Sequence, residues 1–393
     1  MTTATSSKTM TINLGPQHPA THGVLRVMLD LDGETVLKAT PYLGYLHTGI
    51  EKTAEDKLWY KVIPMTDRMD YLAPMSNNLG YVLAVEKMLG LEVPEKVKWA
   101  RALLAEITRL NSHLVWIGTH ALDVGAMSMV LYAFRERELV LEVYEAVAGA
   151  RMMSTYFRVG GLAKDLPADF DQRIQKILDI LPERIDLYEN LLTNNRIWID
   201  RLTNVGVLSK EQALDLSLTG PLLRSTGVKY DVRKDHPYSG YENFDFEVPV
   251  GTKGDCFDRY LVRIAEMRQS LRIIKQALDG MPEGPYKADA PGIVLPDKQK
   301  VLTEMEAMIF HFKLITEGFK VPAGSYYQAI ESPKGEIGYY MVSDGGTKPY
   351  RMRVRPPSYI NLQALNPMVV GGLIADVITC IGSIDIVLGE VDR

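Results

Sequence analysis

The sequence predicts an α+β fold that is predominantly helical, with a long-helix bundle at its core. Three observations lead there. Strict alternation of apolar and polar residues is confined to roughly the first 50 positions. From Glu51 to about Asn195 the apolar spacing changes to three and four, and this spacing returns later in the chain. A strand-turn-strand pattern then appears between Glu336 and Arg355.

In chain order, Thr9–Leu14, Val24–Leu31 and Val36–Ala39 read as strands of a small antiparallel sheet, with a turn at Asp32-Gly33. Gly15-Pro-Gln-His-Pro-Ala-Thr-His-Gly23 lies between the first two, so its histidines belong to a loop. Pro94–Ile117 carries a proline near its start and an apolar stripe, the signature of a long amphipathic helix. Further helices are expected from about Ser128 to Met153, Pro167 to Leu192, Asp255 to Leu278 and Lys298 to Thr316, and several this long suggest a bundle. Ser239–Val250 reads as an aromatic loop. Glu336–Val342, Asp344-Gly345-Gly346 and Tyr350–Arg355 read as a hairpin. The expected division is a β-sheet region with the histidine loop at 1–50, and a helical core at 51–393 with β insertions at about 318–356 and a packed C-terminal tail.

The 393 residues, 46% apolar and 24% charged, suffice for a large core. A net charge of −5 without a basic stripe argues against nucleic acid as a partner. The two cysteines, Cys256 and Cys380, are far apart and form no CxxC, so neither a disulfide framework nor a thiolate metal site is indicated, and a reducing cytoplasm fits. The first eight residues lack the features of an export or transit signal. Met368–Gly389 is nearly long enough to span a bilayer, but Asp376 and Asp385 interrupt it and favour a buried core helix. There is no GxGxxG after a strand, no GxxxxGK[ST] and no GxSxG, which removes the common nucleotide-binding and hydrolase readings.

Chemistry-bearing candidates are few. His18 and His22 are four apart, but Pro19 and the flanking glycines oppose a helix, and two imidazoles without a third ligand make a poor metal site. A loop imidazole that binds or protonates a ligand competes with one that merely holds its own loop. Tyr71, where an extended segment gives way to a helix beginning near Asn77, either points its hydroxyl into a cavity or is satisfied in the core. Asp123 either steadies an imidazolium or caps a helix. Arg351, Arg353 and Arg355 alternate along one strand, so they share a face suited to an acidic partner.

The phrases Gly15–Arg26, Gly44-Tyr-Leu-His-Thr-Gly-Ile-Glu-Lys52, Asp67-Arg-Met-Asp-Tyr71, Gly149-Ala-Arg-Met152, Phe157-Arg-Val-Gly-Gly161 and Gly382-Ser-Ile-Asp385 resemble those of the D-type, quinone-site subunit of NADH-quinone oxidoreductase (respiratory complex I). They occur in that family's order and cover essentially the whole chain. The family is itself similar to the large subunit of nickel-iron hydrogenases, and the resemblance implies that fold. The hydrogenase pattern R-x-C-G-x-C falls on Arg68–Ala73, where Asp70 and Ala73 replace the cysteines. Its D-P-C-x-x-C falls on Asp385–Glu390, where Val387 and Glu390 replace them. Without those thiolates the chain cannot hold a nickel-iron centre.

The resemblance further implies a component of a proton-translocating NADH:quinone oxidoreductase that binds no metal or cofactor itself. Quinone is the substrate, a [4Fe-4S] cluster sits in the adjacent subunit, and FMN and further Fe-S clusters lie elsewhere in the complex. The implied partners are that cluster-bearing subunit, the C-type subunit and the membrane arm, with the chain peripheral on the cytoplasmic side of a bacterial inner membrane. The alternatives are a part of a ferredoxin-linked hydrogenase-related complex and a non-catalytic scaffold. Residue by residue, His22 and Tyr71 match the pair that hydrogen-bonds the quinone headgroup, Asp123 the carboxylate partnering that histidine, Thr119 a pocket-lining position, and Arg68 an arginine near the cluster. Thr48 stands where many members have arginine, and Met153 where many have a titrating histidine. Losing a cation and a titratable group implies a cluster of lower potential and weak pH dependence, matched to menaquinone rather than ubiquinone.

Overall fold

A computed structural model describes residues 9–393, so the reading of the first eight residues lies outside the described residues. The fold is α+β. The N-terminal sheet has the antiparallel order β1 (Thr9–Leu14), β2 (Arg26–Asp32), β3 (Thr35–Tyr42), with Ile12 opposite Leu29 and Leu29 opposite Ala39. Alternate β2 residues Val27, Leu29 and Leu31 are buried, as the period of two requires.

The core is organised around α3 (Glu95–Asp123), which packs against α2 (Pro74–Leu89), α4 (Ser128–Ala148), α6 (Cys256–Gly280) and α8 (Ile374–Ile384). Being covered on every side, α3 must bury polar residues too, and each needs a partner. Arg101 makes a bidentate pair with Glu86 at 2.9 and 2.7 Å. Glu106 accepts from Arg233 at 3.0 Å, Tyr241 at 2.7 Å and Ser270 at 2.7 Å. His113 meets Glu266 at 3.0 Å, and Glu266 in turn accepts from Arg224. Helix α5 (Phe170–Leu192) packs on α4 and α6.

The second large sheet has order β4 (Gly324–Ser332), β5 (Gly335–Ser343), β6 (Arg351–Arg355), all antiparallel. Its last two strands are the expected hairpin, and β4 is an additional strand. Arg109 fixes the sheet to α3 by donating to the carbonyls of Ser332 at 3.0 Å and Glu331 at 2.7 Å. Two of the three strand arginines have partners within the chain. Arg351 pairs with Glu55 at 3.0 Å, and Arg355 is spent on the carbonyls of Glu336 and Ser217.

Four boundaries differ from expectation. The segment before Arg68 is helical, α1 (Trp59–Thr66), and the next helix starts at Pro74 rather than near Asn77, because proline suits a first turn. Helix α4 stops at Ala148 because Gly149 turns left-handed at φ 82°. The helix expected over 298–316 breaks at the extended Glu304, leaving Lys298–Thr303 and α7 (Met305–Thr316). The apolar stretch Met368–Gly389 is not one helix: it holds the end of a short turn, α8, and the start of α9 (Leu388–Asp392). Among the described residues, no helix is long and apolar enough to cross a membrane.

The two ends of the described chain are stitched together. Val36 donates to the carbonyl of Gly372 at 2.9 Å, and Ile374 to that of Glu34 at 3.0 Å. The Asp392 carboxylate accepts from the backbone of Gly44 and Leu46, both at 2.8 Å. Replacing Arg101 with alanine leaves Glu86 buried without its cation. Chemical denaturation should then show a loss of about 3–5 kcal/mol, and a loss under ~1 kcal/mol would mean that water reaches Glu86 in the fold.

Candidate functional site

Five segments meet around Lys334 and the histidine loop: that loop, the turn Asp67–Ala73 between α1 and α2, the end of α3, the β4–β5 turn, and the chain from α8 to α9. The histidine loop is a single 3₁₀ turn, Pro19–Thr21, lying against α8. His18 caps it, its Nδ1 accepting from the Ala20 N–H at 3.2 Å. His22 closes it in the left-handed region at φ 55°. The ring of His22 has protein around most of it while its surface stays open to solvent, and no side-chain hydrogen bond holds it. Desolvation first, and then the charge of Lys334, lower its pKa, which keeps the imidazole neutral at pH 7.

Tyr71 is half-buried on the turn before α2. Burial raises its pKa and Asp70 adds to this, so it remains a phenol donor. Its loop is held from behind by residues that carry no sequence motif. Asn111 on α3 donates to the carbonyl of Leu72 at 2.8 Å, and Arg137 on α4 donates to Asn111 at 3.0 Å.

The centre of this site is Lys334, buried in the two-residue turn between β4 and β5. Its Nζ donates to Ser112 Oγ and stands 3.4 Å from Asp70 and 3.7 Å from Asp385. Burial alone would lower its pKa, but Asp385, Asp70 and Glu390 together raise it, so the ammonium persists. Asp70 spends one oxygen capping the turn, accepting from Leu72 at 3.1 Å and Ala73 at 3.2 Å, and turns the other to Lys334. Asp385, pushed up to about 6 by burial, lies between Lys334 and Arg263, which restrain the rise. Glu390 accepts from the Ser358 N–H at 2.8 Å, while burial, reinforced by Asp70, pushes it up to about 8. One oxygen of each carboxylate has no hydrogen-bond partner. Glu390 therefore keeps its proton at neutral pH.

Glycine sets two approaches. A Cβ on Gly389 would fall 2.6 Å from the Met69 carbonyl oxygen, so only glycine lets α9 lie against the Asp70 turn. A Cβ on Gly382 would fall 2.3 Å from His120 Nδ1 and 3.4 Å from Asp123 Oδ2, so α8 sits directly on the end of α3. The tail is buried structure, yet it delivers Asp385 and Glu390 to Lys334.

The sequence-derived residues fall into two groups. His22 and Tyr71 both feel Lys334 and so share the site. Asp123 lies at the C-terminal end of α3 behind Gly382. It is pushed up to about 6 by burial, and the imidazole acting on it is that of His18. No hydrogen bond joins it to His22. Thr119, half-buried, donates back to the carbonyls of Val115 at 3.0 Å and Trp116 at 3.2 Å. Away from Lys334, exposed Arg68 adjoins Asp67, whose carboxylate accepts from Thr155, two residues beyond half-buried Met153. Thr48 is exposed on the turn before the short helix Ile50–Glu55 and makes no hydrogen bond to Arg68 or Met153. Sequence reasoning missed Lys334 and Ser112, because a lysine in a Pro-Lys-Gly turn reads as a solvent loop. Among the described residues, no three His, Cys, Asp or Glu side chains are grouped to share a metal ion.

Residues 123–393 match the family described as the respiratory-chain NADH dehydrogenase 49 Kd subunit. The chain belongs to this family. It is 60% identical over 390 residues to a D-type NADH-quinone oxidoreductase subunit of Solibacter usitatus, covering 99% of this chain and 95% of that one. The D-type NADH-quinone oxidoreductase subunit of Geotalea uraniireducens is 58% identical over 388 residues, 99% of this chain and all of its own. One from Chloroflexus aurantiacus is 56% identical over 390 residues, covering 98% and 95%. The chain is thus a subunit of an enzyme complex, and its site is to be understood within that assembly.

The raised Glu390 makes stability depend on pH with a definite sign. Unfolded, the group titrates near 4.5, and in the fold near 8. Between these values the unfolded chain releases a proton that the folded chain keeps, so this group's contribution is full below the window and is lost as pH rises through it. Glu390→Gln, which keeps an acceptor for Ser358, should raise the melting temperature at about pH 8 and leave it unchanged near pH 4. An equal shift at both pH values would contradict the protonation assigned to Glu390.

Proposed function

We propose that this chain forms the headgroup end of the quinone-reduction site in a proton-translocating NADH:quinone oxidoreductase. The observation that carries the reading is the convergence of two proton donors, the His22 imidazole and the Tyr71 phenol, on the site where Lys334 stands among carboxylates. The names of the relatives supply the reaction. On this reading the fold is that of the nickel-iron hydrogenase large subunit, with Asp70 and Glu390 in place of cysteine ligands. The neighbouring protein bears a [4Fe-4S] cluster, and FMN and further clusters upstream deliver electrons from NADH. The C-type subunit and the membrane arm complete the surroundings, on the cytoplasmic side of a bacterial inner membrane.

The chemistry needed from the chain is donation to an oxygen that becomes negative. Two-electron reduction puts charge on the two quinone oxygens, and Tyr71 O–H and a His22 N–H are donors suited to receive them. A neutral imidazole with one N–H is the form required before reduction, and the lowered pKa of His22 supplies it. As charge builds on the quinone oxygens, the protonated Glu390 and the Lys334 ammonium are stores from which protons can be supplied to the His22 and Tyr71 side. Asp123, close to the histidine loop through His18, steadies the imidazolium that His22 becomes when it takes up a proton to pass to the quinone. Asn111 and Arg137 hold the Tyr71 loop in register.

Replacing His22 with alanine or Tyr71 with phenylalanine should slow NADH:quinone turnover by roughly 10²-fold, while NADH oxidation by an artificial acceptor stays normal. Wild-type quinone turnover in both variants would sink the site assignment. Thr48 and Met153 bring neither a cation nor a titratable group to the side of the cluster, so its potential should be low and nearly independent of pH. A potentiometric titration of the complex followed by electron paramagnetic resonance checks this, and a steep pH slope would count against it.

A further inference from the structure

Cys256 and Cys380 are far apart in the sequence, yet the fold brings both thiols beside the Arg259 guanidinium between α6 and α8. Both are free and buried. Cys256 is the first residue of α6, after the cap Asp255. One turn on, Arg259 donates from Nη2 to Cys256 Sγ at 3.2 Å. The rest of that guanidinium is fixed by the carbonyls of Gly254 at 2.9 Å and Gly206 at 2.8 Å and by Ser383 Oγ at 3.1 Å.

An arginine beside a sulfur at a helix N-terminus stabilises the thiolate. Burial would push the Cys256 thiol up, but Cys380, Arg259 and Ser383 outweigh it and bring it down to about 6. The hydrogen bond to Cys256, with burial, pushes Cys380 the other way. The pair thus holds one nucleophilic sulfur and one that keeps its proton, the division of labour that disulfide formation needs.

Its cover is thin. A Cβ on Gly206, at φ 59°, would fall 2.7 Å from Cys380 Sγ and 2.9 Å from Arg259 Nη2. The backbone of that turn, itself buried at Gly206, therefore lies directly against the sulfurs. On either side of it, Asn204 and Val207 are exposed. A small oxidant needs only this turn to open to reach the pair.

We propose that Cys256 and Cys380 form a peroxide-responsive dithiol that closes to an intrachain disulfide between α6 and α8, and that quinone reduction slows while it is closed. The Cys256 thiolate attacks one peroxide oxygen, the O–O bond breaks, and hydroxide leaves, taking up a proton to become water. The resulting sulfenic acid is attacked by the Cys380 sulfur. The S–O bond breaks and a second water departs with the Cys380 proton. The two sulfurs together lose two electrons and one peroxide is reduced to two waters.

The effect on turnover follows from what α8 carries. Cys380 lies two residues before Gly382, which rests on His120 and Asp123, and the same helix ends at Asp385 beside Lys334. Drawing Cys380 toward α6 displaces that wall. This part rests on the quinone-site reading above, whereas the disulfide does not.

The test uses the intact complex treated with hydrogen peroxide, after which free thiols are alkylated under denaturing conditions and the digest is read by mass spectrometry. The expected result is a peptide joining Cys256 to Cys380, lighter than its two halves by two hydrogens and split by dithiothreitol. Quinone reduction should fall and return with dithiothreitol, with NADH oxidation by an artificial acceptor unaffected. Cys380→Ser should abolish both the joined peptide and the reversible loss. Absence of the joined peptide from the wild-type digest, or a Cys256 sulfinic acid in its place, overturns the dithiol without reliance on any variant. The same reversible loss in Cys380→Ser overturns the link to turnover. Failure of the quinone-site reading shows separately, as normal turnover in the His22 and Tyr71 variants.

Discussion

An ammonium group with no access to water persists only where negative charge is brought to it, and Lys334 imposes that requirement on the whole fold. Asp70 comes from the turn before α2, Asp385 from the end of α8 and Glu390 from α9, so three separate segments must meet at one turn of a hairpin. The hairpin is held by Arg109, whose two donations to consecutive β4 carbonyls set the depth at which Lys334 sits. Arg224 braces the same strand by bridging Glu331 and Glu266. The buried pairs along α3 thus act chiefly as registration devices. Each contributes little net stability against an apolar alternative, but moving any partner would strand a charge.

That cluster is a different kind of chemistry from soft metal ligation. Carboxylates that share a buried site repel one another, and one relieves the repulsion by keeping its proton. Glu390 is that one, with Asp385 intermediate and the Lys334 ammonium offsetting the remainder. On the proposed reading, replacing thiolates with carboxylates converts a place that held electrons on a metal into one that holds protons next to a reducible ligand. The histidine loop and Tyr71 are the faces through which the ligand would meet it.

Much of this was legible in the sequence, and the exceptions have physical causes. The three N-terminal strands, the β5–β6 hairpin and helices α3, α5 and α6 follow from apolar period alone. Strand β4 escaped because its first half is exposed and its tyrosines do not alternate with polar residues. The long apolar stretch near the end looked like one helix, but periodicity cannot reveal that Asp385 turns left-handed at φ 59° and breaks it. His22 and Tyr71 were visible only through their neighbours in the chain. The roles of Lys334, Ser112, Asn111 and Arg137 left no sign in the sequence, since a supporting residue is defined by partners that the fold brings to it from elsewhere in the chain. The cysteines teach the same lesson: their separation argued against pairing, and the fold makes them neighbours.

The stitching of β3 and the Gly44–Leu46 segment to residues 366–374 and Asp392 has a consequence for biogenesis. The histidine loop leaves the ribosome early, but α8, which packs against it, and the carboxylates Asp385 and Glu390 follow more than three hundred residues later. Until then the nascent chain leaves the edge of β3 uncovered, an aggregation-prone surface that long-range topology closes slowly. The early half therefore completes its fold only when these late contacts form.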